Sequence, residues 1–75
     1  MRRYPLDPPL VAELVRRRKA LGWSQTRLAL ETGLTASLIG QYETLHTGLS
    51  PEAKEAVLSA LAQAEAERTG TQVAS

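Results

Sequence analysis

The feature that most constrains this chain is a pair of short helices written into the sequence only three residues apart. Ser24 is placed as an N-cap, a helical stretch runs from Gln25 to Thr32, and Gly33 supplies the positive φ that stops it. Thr35 then caps a second stretch that reaches Glu43 or Thr44. Trp23 with Leu28, and Leu34 with Ile39, fall at the spacing of hydrophobic staples, which fix how the chain enters each helix. Helices joined so closely must cross at short range. Counting Gln25 as position one, the crossing needs a small residue at position five, where Ala29 stands, and a turn at position nine, where Gly33 stands. Leu28, Leu34, Ile39 and Tyr42 fall where side chains must fill the space between the two helices. Agreement at six positions is more specific than any one of them.

Two further helices frame this pair. Asp7 before Pro8 and Pro9 reads as a helix start, proline being tolerated in the first turn where its missing N–H has no intrahelical acceptor. At 100° per residue, Leu10, Leu21, Leu14, Val11 and Val15 share an arc of roughly 140°, a buried stripe that predicts a helix to about Leu21. Arg18 falls in the middle of that arc, so it must be paired. Ser50-Pro51-Glu52 starts a last helix through Val57, Leu58 and Leu61 to about Glu67. The expected fold is therefore all-α, a small bundle of four helices, five at most, over residues 7–67. Residues 1–6 read as a flexible arm and 68–75 as a disordered tail.

Composition removes whole classes of function. Hydrophobic residues make up 43% of the 75, but Ala is 11 of those 32 and Phe is absent, so the core must be thin. There is no Cys and one His, which excludes disulfides and thiolate zinc sites and leaves His46 without a partner ligand. No cofactor is expected. No apolar run exceeds three residues, so a soluble, cytoplasmic protein is expected. Enzyme readings lack a glycine-rich phosphate loop, a cysteine nucleophile or a gathered carboxylate pair. The net charge of +1 conceals a polarity: residues 1–38 hold seven Lys/Arg against three Asp/Glu (+4), and residues 39–75 hold two against five (−3). An anionic partner suits the first half.

Two helices joined by a three-residue glycine turn form the helix-turn-helix motif, which lays its second helix in the DNA major groove. The stretch from Arg18-Lys19-Ala20-Leu21-Gly22-Trp23-Ser24-Gln25 through Leu28-Ala29, then Gly33-Leu34-Thr35-Ala36-Ser37-Leu38-Ile39 and Tyr42-Glu43, resembles the XRE, or Cro and lambda-repressor, type of helix-turn-helix protein. The resemblance covers about residues 10 to 62. It implies a lambda-repressor-like bundle from a phage or bacterium that binds operator DNA, commonly as a dimer, and regulates transcription, as a repressor above all. It also implies a partner for Arg18, since members often pair an Arg late in the first helix with a Glu late in the third, the places of Arg18 and Glu43. Three positions depart from the family pattern. Thr44-Leu45 stands where a glycine usually closes the third helix, with the glycine delayed to Gly48; Ala36 replaces a long polar residue; and no fifth, dimerising helix is written.

With Ile39 and Tyr42 buried, the third helix turns Ala36, Ser37, Gly40, Gln41 and Thr44 outward. Gln41 can bond adenine N6 and N7 together, Ser37 can donate or accept, and Ala36 can touch a thymine methyl; these three are the candidate base contacts. Gln25 matches the family's phosphate-binding Gln at a helix N-terminus. Arg27, Thr35, Thr44, Thr47, Arg16, Arg17 and Lys19 complete the candidate phosphate contacts, with Arg18 and Glu43 as a structural ion pair. Arg2 and Arg3 offer a reach to DNA from the arm. The expected partners are double-stranded DNA and, through the last helix, a second copy or another protein. The competing reading keeps the fold but binds protein instead, as an antitoxin, a phage antagonist or a polymerase-binding factor would.

Overall fold

The computed structural model describes the backbone of residues 4–74 and the side chains of residues 4–68, and within them every regular element is helical. The helices are α1 (Pro8–Ala20), α2 (Gln25–Thr32), α3 (Ala36–Glu43) and α4 (Pro51–Ala74). Each of the first three starts on a side-chain cap. Asp7 accepts from the Leu10 amide at 3.3 Å, Ser24 from Arg27 at 3.0 Å and Thr35 from Leu38 at 3.1 Å. Ser50 does the same for α4, accepting from Ala53 at 3.1 Å. Each cap satisfies an amide that has no intrahelical acceptor and is worth about 1 kcal/mol.

The helix ends are built from one device used twice. At the end of α1, the Gly22 amide bonds the Lys19 carbonyl and the Trp23 amide bonds Arg18, with Gly22 at φ +75°. At the end of α3, Leu45 bonds Tyr42 and His46 bonds Gln41 in the same pattern. The residue forced to the left-handed conformation there is Leu45, at φ +65°. The helix therefore closes on the departing residue itself, without waiting for Gly48, and accepts a left-handed cost of about 1–2 kcal/mol.

One core joins the four helices. Val11 and Leu14 from α1, Leu28 and Ala29 from α2, Ile39 and Tyr42 from α3, Leu49 from the loop, and Val57 and Leu61 from α4 are buried together. Ile39, Val57 and Leu61 are the most fully enclosed, each contributing about 1.5–3 kcal/mol by leaving water. Arg18 is buried with them, in the middle of the α1 stripe. Leu10, Val15, Leu21, Trp23, Leu34 and Ala36 pack around the rim.

Two stretches run differently from expectation. α4 is helical to Ala74, past the expected end near Glu67. The physical reason is that Gly70 remains helical and no proline follows; one glycine inside a helix costs only about 1 kcal/mol relative to alanine. The helix is also held on α1 just upstream, by Arg17 on Glu65 and by Arg68 donating to the Ala20 carbonyl at 2.6 Å. The arm is shorter than expected, because the carbonyls of Tyr4 and Pro5 lie directly over Gly48. Residues 1–3, and with them Arg2 and Arg3, lie outside the described residues, as does Ser75.

Candidate nucleic-acid interface

α3 is held from behind and open in front. Ile39 and Tyr42 lock one side into the core, and Ser37, Gln41 and Thr44 are exposed on the other. These three are spaced i, i+4 and i+7, so they form one stripe along the helix. Ala36 sits differently from the expectation that it points outward: it is half-buried and packs on the core, presenting at most part of its methyl. Gly40 is also half-buried, because the Gln25 side chain crosses it; a Cβ there would lie 3.5 Å from Gln25 Oε1. Leu38 belongs to the rim of the core.

The start of α2 and the end of α3 are tied together by one carboxylate. Glu43 receives Arg18 twice, Nε on Oε2 at 2.7 Å and Nη2 on Oε1 at 2.9 Å, in the fork geometry that suits a guanidinium. Arg18 Nη1 also donates to the Trp23 carbonyl at 2.6 Å. Gln25 Nε2 donates to the same Glu43 Oε1 at 3.0 Å, which sequence reasoning missed. The available signal was positional, since Gln25 opens α2 and Glu43 closes α3. One of the two amide protons of Gln25 remains for another acceptor.

At the far end of α3, the Thr44 hydroxyl donates to the Gly40 carbonyl at 2.9 Å and lies 2.7 Å from His46 Nδ1. Thr35 is exposed and already caps α3, while the half-buried Thr47 donates to the Gly48 carbonyl at 3.1 Å.

The arginines are engaged within the fold. Arg16 bonds Glu13, Arg17 bonds Glu65 at 2.6 Å and 2.8 Å, and Arg27 bonds Glu31 at 2.8 Å while its guanidinium lies 4.9 Å from the Trp23 ring centre. The Arg17 fork holds the Glu65 carboxyl below its ordinary value, and Arg16 does the same for Glu13. Burial raises the Tyr42 phenol above its ordinary value, with the charge of Asp7 adding to the effect. The Arg16 and Arg27 pairs are exposed, so water screens them; Lys19 is exposed, and α3 itself carries no cation. Among the described residues, no group of His, Asp and Glu is arranged to hold a metal ion.

A bundle that joins two short packed helices through a three-residue turn at Gly33 and exposes one polar stripe on the second of them is a helix-turn-helix domain. The family model described as helix-turn-helix matches residues 14–64, and the chain belongs to that family, the XRE type of DNA-binding regulator. No curated protein and no solved structure shows a significant match. The family is one of regulatory DNA-binding domains rather than enzymes. No helix among the described residues is long and apolar enough to cross a membrane.

Proposed function

We propose that the protein is a sequence-specific transcriptional repressor that inserts α3 into the major groove of an operator. The observation that carries this reading is the stripe of Ser37, Gln41 and Thr44 on a helix whose opposite side is fixed in the core. Gln41 is its one long hydrogen-bonding side chain and reads adenine; Ser37 reads a neighbouring base edge and the Ala36 methyl meets thymine. Gln25, with its remaining amide proton, binds a phosphate at the start of α2, and Thr35, Thr44 and Thr47 line the backbone on either side of α3. Arg16, Arg17, Lys19 and Arg27 supply the flanking phosphate contacts. A second copy, joined through α4 where it runs past its hold on α1 at Arg68, provides the other half-site.

Selection from a randomised duplex library, followed by anisotropy on the enriched sequence, tests the reading. An enriched site is expected, and Gln41→Ala then relaxes preference at one base pair by about 5- to 150-fold, the equivalent of 1–3 kcal/mol for a bidentate contact. Absence of enrichment, with no duplex binding at low salt and a partner protein co-purifying instead, would establish the competing protein-binding role. A reporter driven through the selected site reads the sign: expression falls when the protein is supplied.

A further inference from the structure

We propose that Gly40 and the Arg18–Glu43 pair position the Gln25 amide for one DNA phosphate, so that a buried ion pair acts in binding through a half-buried side chain that it holds. The Gln25 amide lies against α3 at Gly40. A Cβ at position 40 would have Oε1, Cδ and Nε2 of Gln25 at 3.5, 4.0 and 4.0 Å. One methyl fits there at ordinary van der Waals distance, but a carbon branching from it would push the amide away. Around α3, at about 100° per residue, Gly40 falls roughly 40° from Thr44 on one side and roughly 60° from Glu43 on the other. The glycine is therefore a passage between the exposed stripe of Ser37, Gln41 and Thr44 and the half-buried carboxylate, and Gln25 occupies it.

Glu43 fixes which way the amide faces. Gln25 Nε2 donates to Glu43 Oε1 at 3.0 Å, the same oxygen that accepts from Arg18 Nη2 at 2.9 Å. A carboxylate only accepts, so it orients Nε2 toward itself and leaves one N–H for another acceptor. A free glutamine loses rotamer freedom when a ligand orders it, whereas one already held binds without that loss. Arg18 makes the arrangement compatible with DNA. Alone, the Glu43 carboxylate would repel a phosphate brought to Gln25; the guanidinium fork at 2.7 and 2.9 Å offsets its charge.

Stability does not require this network. Apolar side chains that replace both partners of a buried ion pair commonly leave a protein as stable as before. What they could not do is hold Gln25. The product of the Arg18–Glu43 pair beyond the core is a donor with a fixed place and direction, and Gly40 contributes by the side chain it lacks. Gly40, Glu43 and, through Glu43, Arg18 are then positioning residues for DNA binding.

This proposal rests on the reading of Gln25 as a phosphate contact, and its test separates the two. The probe is the duplex enriched by selection, with its phosphates replaced one at a time by neutral methylphosphonates. The quantity read by anisotropy is the ratio of affinities for the intact and the substituted duplex. One replacement should give the unmodified protein a ratio that Gln25→Ala lowers by about 10- to 150-fold, the range for a hydrogen bond to a charged group. If Gln25→Ala alters no ratio, Gln25 holds no phosphate, and the proposal falls with that contact. Gly40→Ala should keep the ratio at that phosphate, and Gly40→Val should lose it. Arg18→Met with Glu43→Leu should lose it too while its far-UV circular dichroism remains helical; if that variant does not fold, Gly40→Val decides alone. A merely structural role would lower every affinity and leave the ratio intact, so a retained ratio in Gly40→Val or in the folded double variant overturns the positioning and leaves Gln25 on its phosphate. No enriched site, with no duplex binding at low salt, removes the DNA reading and this proposal with it.

Discussion

Removing one partner of the Arg18–Glu43 pair should cost the domain about 3–5 kcal/mol of stability. The side chains retain only 8% and 10% of their exposure, and they are joined by two hydrogen bonds of 2.7 Å and 2.9 Å. Glu43→Leu leaves the guanidinium in the core with the Trp23 carbonyl as its one remaining partner in the network and strips Gln25 Nε2 of its acceptor. An uncompensated buried charge costs about 3–5 kcal/mol. A 75-residue chain has roughly 4–11 kcal/mol in total, at about 0.05–0.15 kcal/mol per residue. With a urea dependence of about 1 kcal/mol per molar, the urea midpoint of the single variant should fall by about 3–5 M. Arg18→Met should behave similarly, because it leaves the carboxylate unpaired. The double variant, Arg18→Met with Glu43→Leu, places two apolar side chains in the same space and should lie within about 2 kcal/mol of the original protein. Urea unfolding followed by far-UV circular dichroism measures all three, and the double-mutant cycle yields the coupling. Single variants that lose less than about 1 kcal/mol, as an exposed pair would, or a double variant that loses the sum of the two, would refute the argument.

Three other perturbations isolate single interactions. Leu45→Gly should raise stability by about 1 kcal/mol, because it relieves a left-handed residue at φ +65° while keeping the end of α3 intact; thermal unfolding should show a midpoint several degrees higher, and a lower one would mean that the Leu45 side chain packs more than its 38% exposure implies. Tyr42→Phe should be neutral or stabilising by about 1 kcal/mol, since the buried hydroxyl has no hydrogen-bond partner among the described residues; a loss above that size would reveal a bond to water or to the region around Asp7. Arg17 holds the Glu65 carboxyl below its ordinary value of 4.5, so its contribution is complete above that pH and is lost as pH falls through the folded value. Glu65→Gln should therefore flatten the acid limb of a plot of urea midpoint against pH, and an unaltered limb would assign acid sensitivity to other carboxylates.

The local grammar of the fold was legible because it is written in adjacent residues. The caps Asp7, Ser24 and Thr35 and the stop at Gly33 each act within one helical turn, and the observed helices begin and end beside them. The arc of α1 also showed that Arg18 would be buried, although its partner came from the family resemblance, and the structure joins it to Glu43 at 2.7 Å. What escaped was non-local. The extension of α4 depends on Arg17 and Arg68 reaching across to and from α1, the seat of residues 4–6 depends on a glycine more than forty positions away, and the Gln25–Glu43 bond depends on how α2 and α3 meet. Leu45 escaped for a different reason: intrinsic preference argues against a leucine in that conformation, and only the closed hydrogen-bond pattern overrides it.

The small net charge takes on a different meaning once the ion pairs are placed. Four of the nine basic residues pair with Glu13, Glu65, Glu43 and Glu31, leaving five basic against four acidic residues outside these pairs, so pairing leaves the +1 total intact while setting a carboxylate beside four of the five described arginines. Non-specific attraction to DNA scales with the phosphates neutralised, and a body with few available cations attracts DNA weakly. On the proposed reading, base contacts by Ser37 and Gln41 would be short-ranged and insensitive to salt and would therefore account for a larger share of the binding. On the same reading, added affinity comes from elements that supply phosphate contacts without adding charge to the folded body, and a second copy joined through α4 would meet that requirement.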